Sequence, residues 1–235
     1  MSTILFIRHG QASFGSENYD ELSPLGIEQS RCLGRHFAQF DDPIDAVYSG
    51  PCRRQRDTAR HLIDAAKGEG RSLPDCRALP GMNEYPAFDI LKRCVPLLLR
   101  TDPEFQSLFS PNAPLANDRH FNRAYNYVMA LWVRGRLDLG PLESYVDFVS
   151  RVRASLETLQ RDEGRGRRIA VVTSGGPISM ILKLALELTD EMAMRMGAVV
   201  ANSSLTDLKY DEGRMTLTAF NRVPHLNRKA LVTYR

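Results

Sequence analysis

The chain has 235 residues, of which 43% are hydrophobic and 25% charged, with a net charge of +3. At roughly 150 residues per domain this is one large domain, or one domain carrying an insertion, and it can bury a core without disulfides or metals. The composition excludes a disordered chain, and so small a positive charge gives no reason to expect a nucleic-acid partner.

The four cysteines, Cys32, Cys52, Cys76 and Cys94, are widely spaced and form no C-x-x-C pair. That pattern argues for free thiols in a reducing compartment and against a zinc or redox motif. The apolar run before Arg8 is far too short for a signal-peptide core, and no stretch approaches the roughly 18 apolar residues of a membrane span. The expectation is a cytoplasmic protein with no membrane partner.

In chain order, Ile4-Leu5-Phe6-Ile7 reads as a buried strand that stops at Arg8-His9-Gly10. A helix follows, with Ser23 as N-cap and Pro24 at its first position; Cys32, Leu33, His36, Phe37 and Phe40 give it an apolar face. Residues 44–49 read as a second strand. From Arg53 to about Ala66 the chain reads as a helix with Ala59, Leu62, Ile63 and Ala66 on one side. Between Glu84 and Glu143 the pattern changes: prolines 86, 96, 103, 111 and 114 mark loop-like stretches among helical runs such as 120–134. The segment from about 86 to 141 is therefore expected to be a lid-like insertion, with Trp132 in its own small core. Ile169–Thr173 is the clearest strand, and a helix carrying Ile178, Ile181, Leu182 and Ala185 starts after Ser174-Gly175-Gly176-Pro177. Leu205–Tyr210 and Met215–Phe220 read as a hairpin. Strands alternating with helices imply a three-layer α/β/α sandwich with a mostly parallel central sheet and an antiparallel addition, a single domain over 1–235.

In such sheets ligands bind outside the carboxyl ends of the strands. Two of those ends are chemically loaded. Arg8-His9-Gly10 supplies a guanidinium and an imidazole, and Ser174-Gly175-Gly176 supplies a hydroxyl and the N–H groups of a helix N-terminus, which favour an anion. Arg53, Arg54 and Arg56 follow a third strand end. Arginine, imidazole and a helix N-terminus converging on one place suggest a phosphate.

These residues resemble the histidine phosphatase superfamily, the phosphoglycerate mutase-like proteins. Arg8-His9-Gly10 after an N-terminal strand is similar to its signature, and Asp20-Glu21-Leu22-Ser23-Pro24-Leu25-Gly26 to its D-x-L-S/T-x-x-G helix start. Tyr48-Ser49 through Arg54 to Thr58-Ala59 is similar to Y-S-S-x-x-x-R-A-x-Q-T-A. Glu84 sits where the family has an acidic residue, Glu143-Ser144 with Arg151 is similar to G-E-S-x(6)-R, and Val171–Gly176 to V-V-S/T-H-G-G. The resemblance implies a phosphomonoester hydrolase that works through a phosphohistidine on His9. Glu84 would be proton donor and acceptor, and Arg8 and Arg54 clamps on the phosphoryl oxygens. Ser174, Gly175 and Gln11 complete the expected phosphate site. No metal or other cofactor is implied, since neither a carboxylate cluster nor a histidine pair has ligand spacing. The substrate would be a phosphorylated small molecule or a phosphopeptide, and nothing in the sequence identifies a mutase's bisphosphoglycerate pocket.

Some departures from the pattern matter. The family's second histidine, at the end of the late strand, is Ser174, which offers a neutral hydrogen bond in place of a charged one. The family's asparagine seven residues after the first arginine is Gly15, with Gln11, Ser13 and Asn18 as alternatives. Gln55 and Asp57 replace an alanine and a glutamine. A rival reading follows from Ser174: a phosphate-ligand-binding or interaction module with weak or lost catalysis. Within the phosphatase reading, Ser174 is either a phosphate ligand, a helix N-cap, or both, and Arg53 or Arg56 competes with Arg54 for the inward position. His120, in the insertion, is a weaker candidate for the missing imidazole; His36, His61 and His225 carry no site signal.

Overall fold

The N-terminal apolar run forms strand β1 (Ser2–Arg8), which lies inside a six-stranded sheet. The computed structural model describes residues 1–13, 20–39, 43–108, 118–211 and 214–234. The other strands are β2 (Ala46–Ser49), β3 (Cys76–Ala78), β4 (Arg168–Thr173), β5 (Leu205–Asp211) and β6 (Arg214–Arg222), in the order β3-β2-β4-β1-β5-β6. The first four in that order run parallel, whereas β5 pairs antiparallel with β1 and β6 with β5. The expected sandwich with an antiparallel hairpin at one side is what forms.

One face of the sheet presents Leu5, Ile7, Val47, Ala170 and Val172. They pack with Leu33 and Phe37 of helix α1 (Pro24–Ala38) and Ala59, Leu62 and Ala66 of helix α2 (Arg53–Gly68). The alternate residues Ile4, Phe6, Ala46, Ile169 and Val171 are equally buried, so the opposite face is covered too, as parallel strands require. Burying a side chain such as Ile7 or Leu33 contributes about 1.5–3 kcal/mol. At the start of α1, Ser23 Oγ accepts the Gly26 N–H and Pro24 takes the first helical position, as expected. Cys32 and His36 lie only half-buried on that helix, and the buried stripe runs through Gln29, Ser30, Leu33 and Phe37; Phe40 is outside the described residues. Helix α7 (Gly175–Leu186) follows β4 directly, and α8 (Asp190–Ala198) follows α7.

The chain forms two compact units, Met1–Glu84 with Arg151–Arg235, and Tyr85–Ser150. The second is wider than the expected insertion and more helical than its prolines suggest: α3 (Ala87–Thr101), α4 (Pro103–Ser107) and α5 (Asp118–Val133) lie in it, and α6 (Tyr145–Glu163) starts there. Pro96 sits inside α3, whose Ile90, Leu91, Cys94 and Leu98 are buried. Pro103 begins α4 behind the Asp102 cap, a position where the missing N–H costs nothing. Trp132 is the core of this unit. It stacks on Tyr85 at 4.9 Å, meets Tyr145 edge-on at 5.2 Å, and donates its indole N–H to the Glu143 carbonyl.

Candidate active site

The parallel pairing of β1 with β4 ends at Arg8 opposite Thr173. His9 and Ser174 are therefore the next residues of two neighbouring strands, whose chains run roughly 4.8 Å apart. The His9 N–H donates to the Thr173 carbonyl at 2.8 Å. Its carbonyl accepts from Ser203 N–H and Asn202 Nδ2, and the next N–H, of Gly10, donates to Thr58 Oγ1 at 3.0 Å. Thr58 in turn donates to the Arg54 carbonyl. The backbone that carries the imidazole is thus fixed from three sides.

His9 as a whole is only 3% exposed. Arg54 Nε–H donates to His9 Nε2 at 3.1 Å, and His9 Nδ1 lies 2.7 Å from the Gly10 carbonyl oxygen. A guanidinium only donates, so Nε2 presents its lone pair and Nδ1 carries the proton into the carbonyl. Burial, followed by the charges of Arg54 and Arg8, holds the His9 pKa well below the usual imidazole range, against the opposing effect of the Gly10 bond. His9 is a neutral imidazole in one tautomer.

Of the three arginines after β2, Arg54 is the one that reaches His9, and it is 7% exposed. Its Nη1 donates to Asp20 Oδ1 at 2.6 Å, while Asp20 Oδ2 accepts the Arg53 N–H at 2.8 Å. One carboxylate therefore holds both the arginine and the first turn of α2, where the helix dipole favours it. The Arg53 side chain turns outward to Glu21 and Asp57, and Arg56 is exposed. Arg8 Nη1 donates to the carbonyls of Val200 and Tyr234.

At the end of β4, Ser174 is fully buried and takes the N-cap position of α7 without a side-chain capping bond. Instead Gln55 Nε2 donates to its Oγ at 2.7 Å. The Gly176 N–H, in the first turn of α7, donates to Glu84 Oε2 at 3.2 Å, so that carboxylate rests on the helix N-terminus. Beside it, Cys52 Sγ donates to Asn83 Oδ1 at 3.0 Å, and burial pushes the Cys52 thiol up, so it is a protonated donor and not a thiolate. Gln11 faces α1: its N–H donates to Gln29 Oε1 and its own Oε1 accepts from Ser23 Oγ. Among the described residues, no three His, Cys, Asp or Glu side chains gather as a metal site needs.

A family model described as the histidine phosphatase superfamily (branch 1) matches residues 4–85 and 117–223. The chain belongs to that family. No curated protein matches the sequence significantly. Among solved structures, a phosphoserine phosphatase mutant from Entamoeba histolytica in complex with phosphoserine superposes with a TM-score of 0.63 at 20% identity, covering 96% of this chain and 100% of that one. A phosphoglycerate mutase from Bacillus anthracis gives 0.64 at 18% identity, covering 95% and 94%. The alpha-ribazole phosphatase from Shigella flexneri gives 0.61 at 18%, covering 94% and 96%. At these identities the likeness is one of fold. Membership of the family supports the expectation of a phosphatase.

Within this family frame, His9 and Arg54 are in direct contact, Ser174 ends the neighbouring strand, and Glu84 joins them through the start of α7, which Gly175 opens. Arg8 and Gln11 flank His9 and Gly10 in sequence, but Arg8 is bonded to the Val200 and Tyr234 carbonyls and Gln11 to Ser23 and to Gln29 of α1. Of the alternatives for the missing asparagine, Gly15 and Asn18 fall outside the described residues, and the Ser13 N–H donates to the Glu21 carbonyl. The side chain of His120 is likewise outside them. Sequence reasoning passed over Gln55, Asp20, Thr58 and Asn202. Gln55 stood out only as a departure from the pattern, Asp20 and Thr58 only as pattern members, and Asn202 gives no local signal.

Proposed function

We propose that the chain is a phosphomonoester hydrolase that transfers the phosphoryl group to His9 and then to water. The observation that supports this most is the state of His9: a buried, neutral imidazole whose Nε2 lone pair is presented beside Arg54. Nε2 attacks phosphorus as the ester P–O bond breaks, and Glu84 gives its proton to the leaving oxygen. The Glu84 carboxylate then takes a proton from water, the water oxygen attacks phosphorus, and the P–N bond breaks. Inorganic phosphate leaves, His9 is neutral again, and Glu84 has its proton back. Arg54, with the charge of Arg8 nearby, offsets the charge on the transferring oxygens, helped by the N–H groups at the start of α7.

The substrate class that fits is a phosphorylated small molecule or phosphopeptide, in keeping with the phosphoserine named for one structural relative. The residues 86–141 are proposed to act as the selecting lid. Four free thiols suit a cytoplasmic setting, and no helix among the described residues is long and apolar enough to cross a membrane. One feature favours a second reading, a phosphate-binding module without turnover: Ser174 has no imidazole to offer. Purified protein should release phosphate from p-nitrophenyl phosphate and retain acid-labile phosphate after rapid quenching, whereas His9→Ala should do neither. Tight phosphate binding by a wild type with no turnover would establish the second reading instead, and equal turnover by wild type and His9→Ala would remove His9 as nucleophile.

A further inference from the structure

We infer that Gln55 is a positioning residue for Ser174, and that the two form a neutral hydrogen-bonded pair standing where the family pattern has a histidine. This rests on the phosphatase reading above. Gln55 is fully buried in the first turn of α2. Its Oε1 accepts the Cys52 N–H at 3.1 Å, which fixes the oxygen end of the carboxamide. The two N–H groups then point to Ser174 Oγ, at 2.7 Å, and to the Met82 carbonyl, at 3.3 Å. No freedom is left to that side chain.

Ser174 is constrained in consequence. A serine at a helix N-cap ordinarily turns its oxygen onto the helix's own N–H groups. Here the oxygen accepts from Gln55 instead, and the α7 N–H groups are not capped by it. A hydroxyl has one proton to donate, and among the described residues no group accepts that of Ser174. It is a buried donor, one residue beyond the last β1–β4 pair and so beside His9. Charge developing on a phosphoryl oxygen is what such a donor fits. By occupying the acceptor side, Gln55 keeps the donor side for substrate.

Gly50 belongs to the same arrangement. A Cβ there would lie 2.2 Å from Gln55 Oε1 and 2.6 Å from the Met82 carbonyl oxygen, so the carboxamide fits only over a glycine. The family pattern quoted above has serine, alanine and histidine at positions 50, 55 and 174. Two neighbouring departures, at 50 and 55, and a third that is distant in sequence therefore meet in one place, as a single exchange of volume and bonding.

The test is a double-mutant cycle on the full chain with p-nitrophenyl phosphate. Gln55→Met and Ser174→Ala should each lower kcat by about three- to ten-fold, the range of one neutral hydrogen bond, with a smaller change in KM. The double variant should be no slower than the slower single one, because Gln55 acts only through Ser174. Should Gln55→Met fold poorly, Ser174→Ala and Ser174→Cys still decide the matter, since both leave the bonds of Gln55 to Cys52 and Met82 in place. Full kcat in Ser174→Ala, or losses that multiply in the double variant, would overturn the inference. A wild type without turnover would instead remove the reading it rests on.

Discussion

The Arg54 guanidinium donates at 3.1 Å to His9 Nε2, the nitrogen whose lone pair a phosphoryl acceptor needs. The contact orients the lone pair and, together with burial, keeps the ring unprotonated. In the proposed mechanism phosphorus takes that lone pair, which would release the Arg54 N–H toward the oxygens that arrive with it. On that reading one residue prepares the nucleophile before the reaction and stabilises charge during it.

A pH profile tests this relationship. Because the His9 pKa lies well below 6.5, the acid limb of kcat/KM that belongs to His9 should fall below pH 6.5. Arg54→Gln removes one of the two charges that lower it, so the limb should move upward while the rate itself drops. Burial is the larger cause and persists in the variant, so the limb should stay on the acid side of 6.5. A limb in the same position in both proteins would show that Arg54 has no electrostatic hold on the imidazole.

A second prediction concerns how the site is joined to α1. A Cβ on Gly26 would lie 2.1 Å from the Gln11 carbonyl oxygen, and one on Gly10 would lie 2.4 Å from the Gly26 oxygen. Backbone meets backbone there, and neither side can yield as a flexible side chain does. Gly26→Ala should therefore cost about 2–4 kcal/mol of stability and shift the loop that follows His9, lowering kcat as well. Thermal denaturation with parallel kinetics would check it, and an unchanged Tm would contradict it.

Most of the fold was readable because its signals are local. The apolar runs of β1 and β4, and the Ser23-Pro24 start of α1, each lie within a few residues of the feature they specify. β3 was missed because Cys76, Arg77 and Ala78 are all exposed, held by pairing with β2 and by the Arg77–Glu163 ion pair, which leaves no apolar pattern. Proline count misled in α3, where Pro96 is accommodated because a buried face holds the helix in place. At the site, His9 and Arg54 were legible as motif residues, but what they touch was not. Arg8 finds its carbonyl partners 192 and 226 residues away, and Gln55 finds Ser174 at a separation of 119. A buried glutamine in a helix's first turn has the same sequence appearance as a solvated one.

Acid should weaken the fold through His225. This ring is buried with Nε2 on Ser203 Oγ at 2.8 Å, and burial, with a smaller effect from His36, pushes its pKa down to about 3. The folded value is below the unfolded 6.5, so the unfolded chain binds the proton first. The stability in question is complete above pH 6.5 and is lost as pH falls toward 3, at about 1.4 kcal/mol per pH unit for one proton. His9 acts in the same direction. Urea titrations of wild type and His225→Gln on either side of pH 6 (roughly one unit apart) should give a shallower pH slope for the variant; equal slopes would mean that His225 does not carry the effect.

The last prediction joins Ser174 to its neighbour. From the family pattern alone, Ser174→His should restore a charge-assisted donor and raise kcat. The structure adds a steric condition: Gln55 Nε2 stands 2.7 Å from Ser174 Oγ in a fully buried site, so an imidazole at 174 must enter the space the carboxamide fills. Ser174→His by itself should then overpack the site, at a cost of about 1–3 kcal/mol, and lose activity. Ser174→His combined with Gln55→Ala vacates that space and removes the neutral donor together with the serine it serves. A bond to a charged group contributes about 1.5–3 kcal/mol against 0.5–1.5 for a neutral one, so the double variant should exceed the wild type in kcat by roughly five- to thirty-fold. Steady-state kinetics and Tm of the two single variants and the double would decide it. If Ser174→His alone matched the double in both measurements, the carboxamide would not be competing for the site of the imidazole.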